Sequence, residues 1–247
     1  YGGIVTNGLV LDLDAAKKDS YPGTGTSWRD ISGNSNNGTL TNGPTFNSAN
    51  GGYINFDGTN DYVTLGNIFN FELTSSFTIS TWFKTTTTGA VTSTIIGKIK
   101  LQISPENYTG YQVGMNVATG NSGDAGKFGF VIVSSPFSYP GSVMRRQTTT
   151  STYNNGNWVN GVVTYDGSST RNGILIYMNG ILASMQDYDS SSTTGTIINN
   201  ANFELGARDG TQQPFNGNIS DALVYNRTLS ATEILQNYNA LKGRYGL

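Results

Sequence analysis

Short runs rich in Val, Ile, Thr, Tyr and Phe recur along this chain, each cut off by Gly, Asn, Ser or Asp: GLVLDLD, GYINFDG, DYVTLG, SFTISTWFK, STIIGKI, KFGFVIV, NWVNGVVTYDG, GILIYM and ISDALVYN. β-branched and aromatic side chains suit a pleated surface, and turn formers at this spacing predict an all-β sandwich. In SFTISTWFK, alternation puts Phe77, Ile79, Thr81 and Phe83 on one face and Thr78, Ser80 and Trp82 on the other. Both faces carry a large ring, so this strand is expected to be covered on both sides. Asn179-Gly180, between GILIYM and ILASM, fits a type I′ hairpin turn. A single helix is expected, at the end. Ser230 and Glu233 form a capping box, Ile234, Tyr238 and Leu241 recur at helical spacing, and Gly243 is placed to close it.

The 247 residues show no linker, and all-β sandwiches of roughly 200 to 250 residues exist as one unit, so residues 1–247 are read as one domain. With no Cys there is no disulfide framework or thiol nucleophile, and with no His there is no imidazole relay or histidine zinc site. Any metal would be held by oxygen, which favours calcium or magnesium. The 14 basic and 16 acidic residues leave a net charge of -2, and the cations are scattered apart from Arg145-Arg146, which argues against a nucleic-acid partner. No apolar run approaches the roughly 20 residues of a membrane span. The opening YGGIVTNG lacks the basic and apolar regions of a secretory leader, and without an initial Met the chain reads as a mature or trimmed product.

The stretch WRDISGNSNNGTLTNGPTF packs Gly and Asn around one acid, Asp30, a composition suited to tight turns. Together with GLVLDLDA, GGYINFDGTNDYV, FTISTWFK, WVNGVVTYDG, IYMNG and FNGNISDALVYNRTLSATEI, in this order, it resembles the laminin G-type jelly roll of the concanavalin A-like lectin/glucanase superfamily. The variant with SYPGTGTSW and a closing YNALKGRYGL is similar to domains of bacteriophage virion surface proteins and of secreted bacterial proteins. The resemblance implies two stacked antiparallel sheets, one of them concave, with one short C-terminal helix. It further implies an extracellular or virion-surface location, and binding at loops or in the concavity.

Laminin G-type domains often hold calcium at a sandwich rim, and first and last strands are often neighbours. The resemblance therefore implies a calcium site at which Asp30, Asn34, Asn36 and Asp221 meet. The alternative is that Asp30 and Asp221 only cap turns or accept backbone hydrogen bonds. Jelly-roll glucanases carry a Glu-x-Asp-x-x-Glu strand, which is absent here. The four Glu, at 72, 106, 204 and 233, are far apart, and the Asp12/Asp14 pair reads as solvated or calcium-linked.

No catalysis is therefore expected. Sugar recognition would use loop aromatics against pyranose faces, and the candidates are Tyr108, Tyr139, Tyr188 and Phe215, with Tyr111 and Phe137 nearby. Each ring has the alternative of closing an end of the sandwich. Residues 134–157, the longest stretch without a strand pattern, are read as a functional loop in which Arg145 and Arg146 grip an acidic sugar or a neighbouring subunit. Trp28, Trp82 and Trp158 are assigned to packing. The expected partners are a glycan or cell-surface polysaccharide and, in the alternative of a decoration domain, virion or fibre proteins. Display in repeated copies or as a homo-oligomer is also expected.

Overall fold

The computed structural model describes residues 3–89, 91–103, 106–117 and 124–247, without the side chains of 101–107. In chain order the strands are β1 (Leu9–Asp14), β2 (Ser27–Trp28), β3 (Gly38–Thr41), β4 (Thr45–Asn47), β5 (Tyr53–Asp57), β6 (Tyr62–Thr64), β7 (Phe77–Lys84), β8 (Ser93–Ile103) and β9 (Glu106–Met115). They continue with β10 (Phe128–Val133), β11 (Val143–Thr148), β12 (Val159–Tyr165), β13 (Ile174–Met178), β14 (Ile181–Leu182), β15 (Met185–Asp189), β16 (Glu204–Leu205) and β17 (Asn216–Tyr225), followed by helix α1 (Ala231–Leu241).

The strands form two antiparallel sheets. One has eight strands in the order β14-β13-β12-β7-β17-β5-β4, with β1 also on β17, and the other has nine, in the order β15-β11-β10-β9-β8-β16-β6-β3-β2. β17 serves two neighbours: residues 216–219 pair with β5 and 221–225 with β1, and its register against β7 slips between Ile219 and Asp221. First and last strands are thus adjacent, as the resemblance implied.

The inner faces share one apolar core, running from Leu11 and Leu13 through Phe77, Phe130 and Val163 to Val224. At its centre the Phe77 ring lies 4.6 Å from Phe71, 5.1 Å from Tyr111 and 5.6 Å from Tyr165. On the other side of β7, Trp82 stacks on Tyr245 at 4.1 Å and on Tyr238 at 5.6 Å, so β7 is covered on both faces as its alternation predicted. The cover comes from α1 and the 3-10 turn Lys242–Tyr245, whose apolar side chains close over the eight-stranded sheet. Both halves of the capping box form: Ser230 Oγ accepts from Glu233 N, and Glu233 accepts from Ser230 N. The hairpin turn is present too, with φ of 51° at Asn179 and 78° at Gly180.

Some sequence expectations are corrected. The helical path does not stop at Gly243: it tightens into the 3-10 turn, and the left-handed residue is Gly246. Burial of Tyr245 and the two hydrogen bonds that the Arg244 guanidinium donates to the Asp14 carboxylate, at 2.7 and 2.8 Å, hold this extra turn down. Asp12 and Asp14 are buried rather than solvated, with Lys17 Nζ 3.7 and 3.3 Å away. Stretches read as loops, around Tyr108 and Tyr111, within 134–157 and around Tyr188, contain β9, β11 and β15.

Candidate ligand-binding face

Tyr111, Val113, Phe130, Ile132 and Met144 enter the core, so alternation turns their sequence neighbours to the outer face of the nine-stranded sheet. The register lays Glu204, Gly97, Gln112, Val131, Arg145 and Tyr188 side by side across β16, β8, β9, β10, β11 and β15. A Cβ on Gly97 would sit 2.8 Å from Gln112 Cβ, and one on Gly129 2.7 Å from Gln147 Cβ, so only glycine lets the two glutamines lie along the sheet.

Over this row lies a cavity of about 160 Å³, lined by Tyr108, Gln112, Arg145, Arg208 and Gln213 above a floor of apolar side chains such as Val131. The Arg208 guanidinium lies 4.3 Å from the Tyr108 ring centroid and donates to Tyr108 Oη (3.3 Å) and Gln212 Oε1 (2.9 Å). Gln112 Nε2 donates to Gln213 Oε1 at 2.9 Å, which fixes the orientation of both amides. Arg145 pairs with Asp189 at 3.0 Å.

Further along, Asp124 Oδ1 accepts from Gln147 Nε2 (2.8 Å), Lys127 Nζ (2.9 Å) and Tyr188 Oη (3.2 Å), while Oδ2 is buried and has no hydrogen-bond partner among the described residues. Burial, and then the Asp124 charge, push the Tyr188 phenol up. At the other end of the row Glu204 accepts from Gly210 N at 2.8 Å, and burial, reinforced by Asp209, pushes its carboxyl up to about 7. The face thus offers oriented amides, a ring and charges in a dry setting, where hydrogen bonds to a polyhydroxyl ligand are strong.

Of the rings expected to bind sugar, Tyr108 and Tyr188 stand on this face. Tyr139 is 65% exposed in the β10–β11 loop, whose Phe137 packs with Tyr108 onto Ile99, Val131, Val133 and Val143. Phe215 is a correction. It is 1% exposed and lies 6.4 Å from both Phe56 and Phe83, so it closes the core and faces no ligand. Arg146 is committed to Asp187 (2.6 and 3.1 Å) and Ile174 O, leaving Arg145 as the arginine of the pair that reaches the cavity. Sequence reasoning missed Gln112, Arg208, Gln213 and Glu204. For Gln112 a signal existed: it is the polar member of the alternation Tyr111-Gln112-Val113, obscured by the adjoining Thr109-Gly110.

The residues proposed for calcium do not fit a cation. Asp30 Oδ1 accepts from Asp12 N and Ser32 N, and Oδ2 from Ser32 Oγ and Asn36 N, all at 2.9 Å. Four donors aimed at one carboxylate occupy the lone pairs an ion would need. Asn34 and Asn36 turn their amide nitrogens to Leu9 O and Val10 O at 3.3 and 2.8 Å. Asp221 is fully buried, accepting from Trp82 N (3.3 Å) and Tyr245 Oη (3.5 Å), and burial, with Asp14 next, raises its carboxyl well above the usual range. Asp30, Asn34 and Asn36 tie one backbone segment to another, and no group of three or more acids that could hold a metal exists among the described residues.

Comparison with known proteins fits the two-sheet fold. No curated protein matches the sequence. Solved structures that superpose on the chain include the binding domain of Paraclostridial Mosquitocidal Protein 1 (TM-score 0.65, 16% identity, 95% of this chain and 52% of that one). Domain 4 of AbnA, a GH43 extracellular arabinanase from Geobacillus stearothermophilus, solved with arabinotriose, superposes with a TM-score of 0.63 at 18% identity over 93% and 98% of the two chains. The ligand binding domain of botulinum neurotoxin serotype D, solved with N-acetylneuraminic acid, gives 0.63 and 14% over 95% and 51%. The chain therefore spans about half the length of the first and third of these, both of them described as binding domains. The family model described as the concanavalin A-like lectin/glucanases superfamily, in its laminin G form, matches residues 57–235, and the chain belongs to that superfamily.

Proposed function

We propose that this chain is a non-catalytic glycan-recognition module, displayed outside the cell or on a virion or fibre, and that the outer face of the nine-stranded sheet is its binding surface. The observation that carries this reading is the cavity in which the Tyr108 ring, braced by Arg208, stands beside the paired amides of Gln112 and Gln213. Amides match sugar hydroxyls as both donors and acceptors, and the ring gives an apolar surface for the C–H face of a pyranose. The cavity is small, which suits one or two sugar units and weak binding. A millimolar Kd corresponds to about -4.1 kcal/mol. Repeated copies would raise avidity by roughly 10² to 10⁴, so the module is suited to display in many copies.

The test is retention of multimerised protein on a panel of neutral polysaccharides. Tyr108→Ala and Gln112→Ala are expected to lose retention while melting close to the parent protein. Retention that survives both substitutions would remove this face as the site.

A second reading, a decoration domain making protein contacts, is favoured by Ile181 and Leu182, 70% and 51% exposed on the edge strand β14, and by Leu235 of α1 beside them, 43% exposed. Ile181→Lys would release the protein from its assembly under that reading and leave glycan retention unchanged under the first.

A further inference from the structure

A second cleft lies beside the eight-stranded sheet. It holds about 500 Å³ and is lined by Asn50, Lys84, Tyr153, Asn157, Trp158 and Asn179, among others. An adjoining hollow of about 260 Å³, lined by Asn55, Thr85, Asn216 and Asn218, meets it at Lys84 and Gly156, which border both. Together they form a furrow walled mainly by side-chain amides and hydroxyls.

Its one cation is Lys84. Arg227, Arg244, Arg146 and Lys127 are each held by a carboxylate. Lys84 Nζ makes no hydrogen bond or ion pair among the described residues. It rests against two rings instead, 5.2 Å from the Trp158 centroid and 5.4 Å from that of Tyr53.

The rings hold the ammonium in place without using its N–H donors, since attraction to a ring face is electrostatic and spends no hydrogen bond. The rings are themselves fixed: Trp158 Nε1 donates to Asn50 Oδ1 at 3.1 Å, and Trp158 packs 5.4 Å from Tyr53 and 4.9 Å from Tyr245. A charge positioned in this way, with its donors unspent, lacks an anion to complete it. The amides on either side suit the hydroxyls and ring oxygens of a chain lying along the furrow. A phosphate would call for more than one cation or for an arginine fork, so a single lysine among neutral amides suits an isolated carboxylate.

We propose that this furrow is a second carbohydrate site, selective for an oligosaccharide that bears a carboxylate, with Lys84 pairing with that carboxylate. The site stands apart from the Tyr108 face and does not depend on it.

The probe is a short oligogalacturonate, with its methyl ester as a neutral chain of the same shape, measured by calorimetry or ligand-observed NMR. The acid is expected to bind at least tenfold more tightly than the ester, and to weaken as salt is raised from 20 to 300 mM, because the pair is partly open to solvent. Lys84→Gln is expected to abolish the preference, Lys84→Arg to retain most of it, and Tyr108→Ala to leave it unchanged. Equal binding of acid and ester, no binding of either, or a preference that survives in Lys84→Gln would each overturn the proposal. A preference lost in Tyr108→Ala but kept in Lys84→Gln would place acid binding on the other sheet and would also overturn it.

Discussion

The two sheets turn opposite kinds of surface away from their shared core. Outside the eight-stranded sheet, Trp82, Tyr238, Tyr245 and Leu241 close over one another, and the helix makes a second small core of that face. Outside the nine-stranded sheet the equivalent positions carry Glu204, Gln112, Arg145 and Gln147, oriented by hydrogen bonds. Burial alone does not distinguish the faces, since Gln147 and Trp82 are both 0% exposed. The difference lies in what burial does. On one side it removes apolar area from water, a stability gain; on the other it places polar groups where they stabilise little and can recognise much.

The largest effect that would break this contrast is on the helical side. Trp82→Ala is expected to cost about 3 to 5 kcal/mol in urea unfolding, through loss of both stacking partners and the cavity left behind. Glycan retention by the remaining folded protein should be unchanged.

On the polar side, the pH profile is informative. The Glu204 carboxyl titrates near 7 in the folded state against an ordinary 4.5. The folded state therefore holds this proton where the unfolded chain has lost it, and stability falls as pH rises from about 4.5 to 7, then levels. Asp12, pushed up to about 6 chiefly by burial and partly offset by Lys17, adds a slope of the same sign over a lower range. Glu204→Gln should be more stable than the parent at pH 8 by roughly 3 kcal/mol and nearly equal to it at pH 4. A parallel offset at both pH values would show that Glu204 is not held neutral.

A smaller effect sharpens the helical side again. Ser230→Ala removes half of the capping box and should cost about 1 kcal/mol by thermal melting. The smallest concerns metal. The Asp30 oxygens are already bonded to four donors, so chelator should leave the melting temperature unchanged, and a fall of several degrees would locate an ion elsewhere in the chain.

The sequence showed the fold far better than the site, for a reason visible in particular strands. β7 and β17 bury large residues on alternate positions, and the capping box and Asn179-Gly180 are short-range codes, so all of these could be read locally. β9 has Tyr111, Val113 and Met115 on one face and Tyr108, Gly110, Gln112 and Gly114 on the other, while β11 and β15 carry charged residues on both faces, so their runs look like loops until the register lines them up. Phe215 misled in the opposite way: Gln212, Gln213 and Pro214 before it suggest a loop, while its ring turns inward onto Phe56 and Phe83. The Lys84 furrow draws its walls from segments more than a hundred residues apart, and no local pattern announces it.

The glycines under Gln112 and Gln147 carry a consequence for how such a face changes over time. A side chain at Gly97 or Gly129 would strike the Cβ of a glutamine beside it, so these two positions cannot be altered one residue at a time. Under the proposed function, variation in what is recognised would fall at the rim: at Tyr108 and Arg208, in the loop bearing Tyr139, and in the length of the side chains at 112 and 147. Related chains that recognise different sugars are therefore expected to keep both glycines beneath a rim that differs, and a library randomised at the rim alone should reach new specificities while still folding.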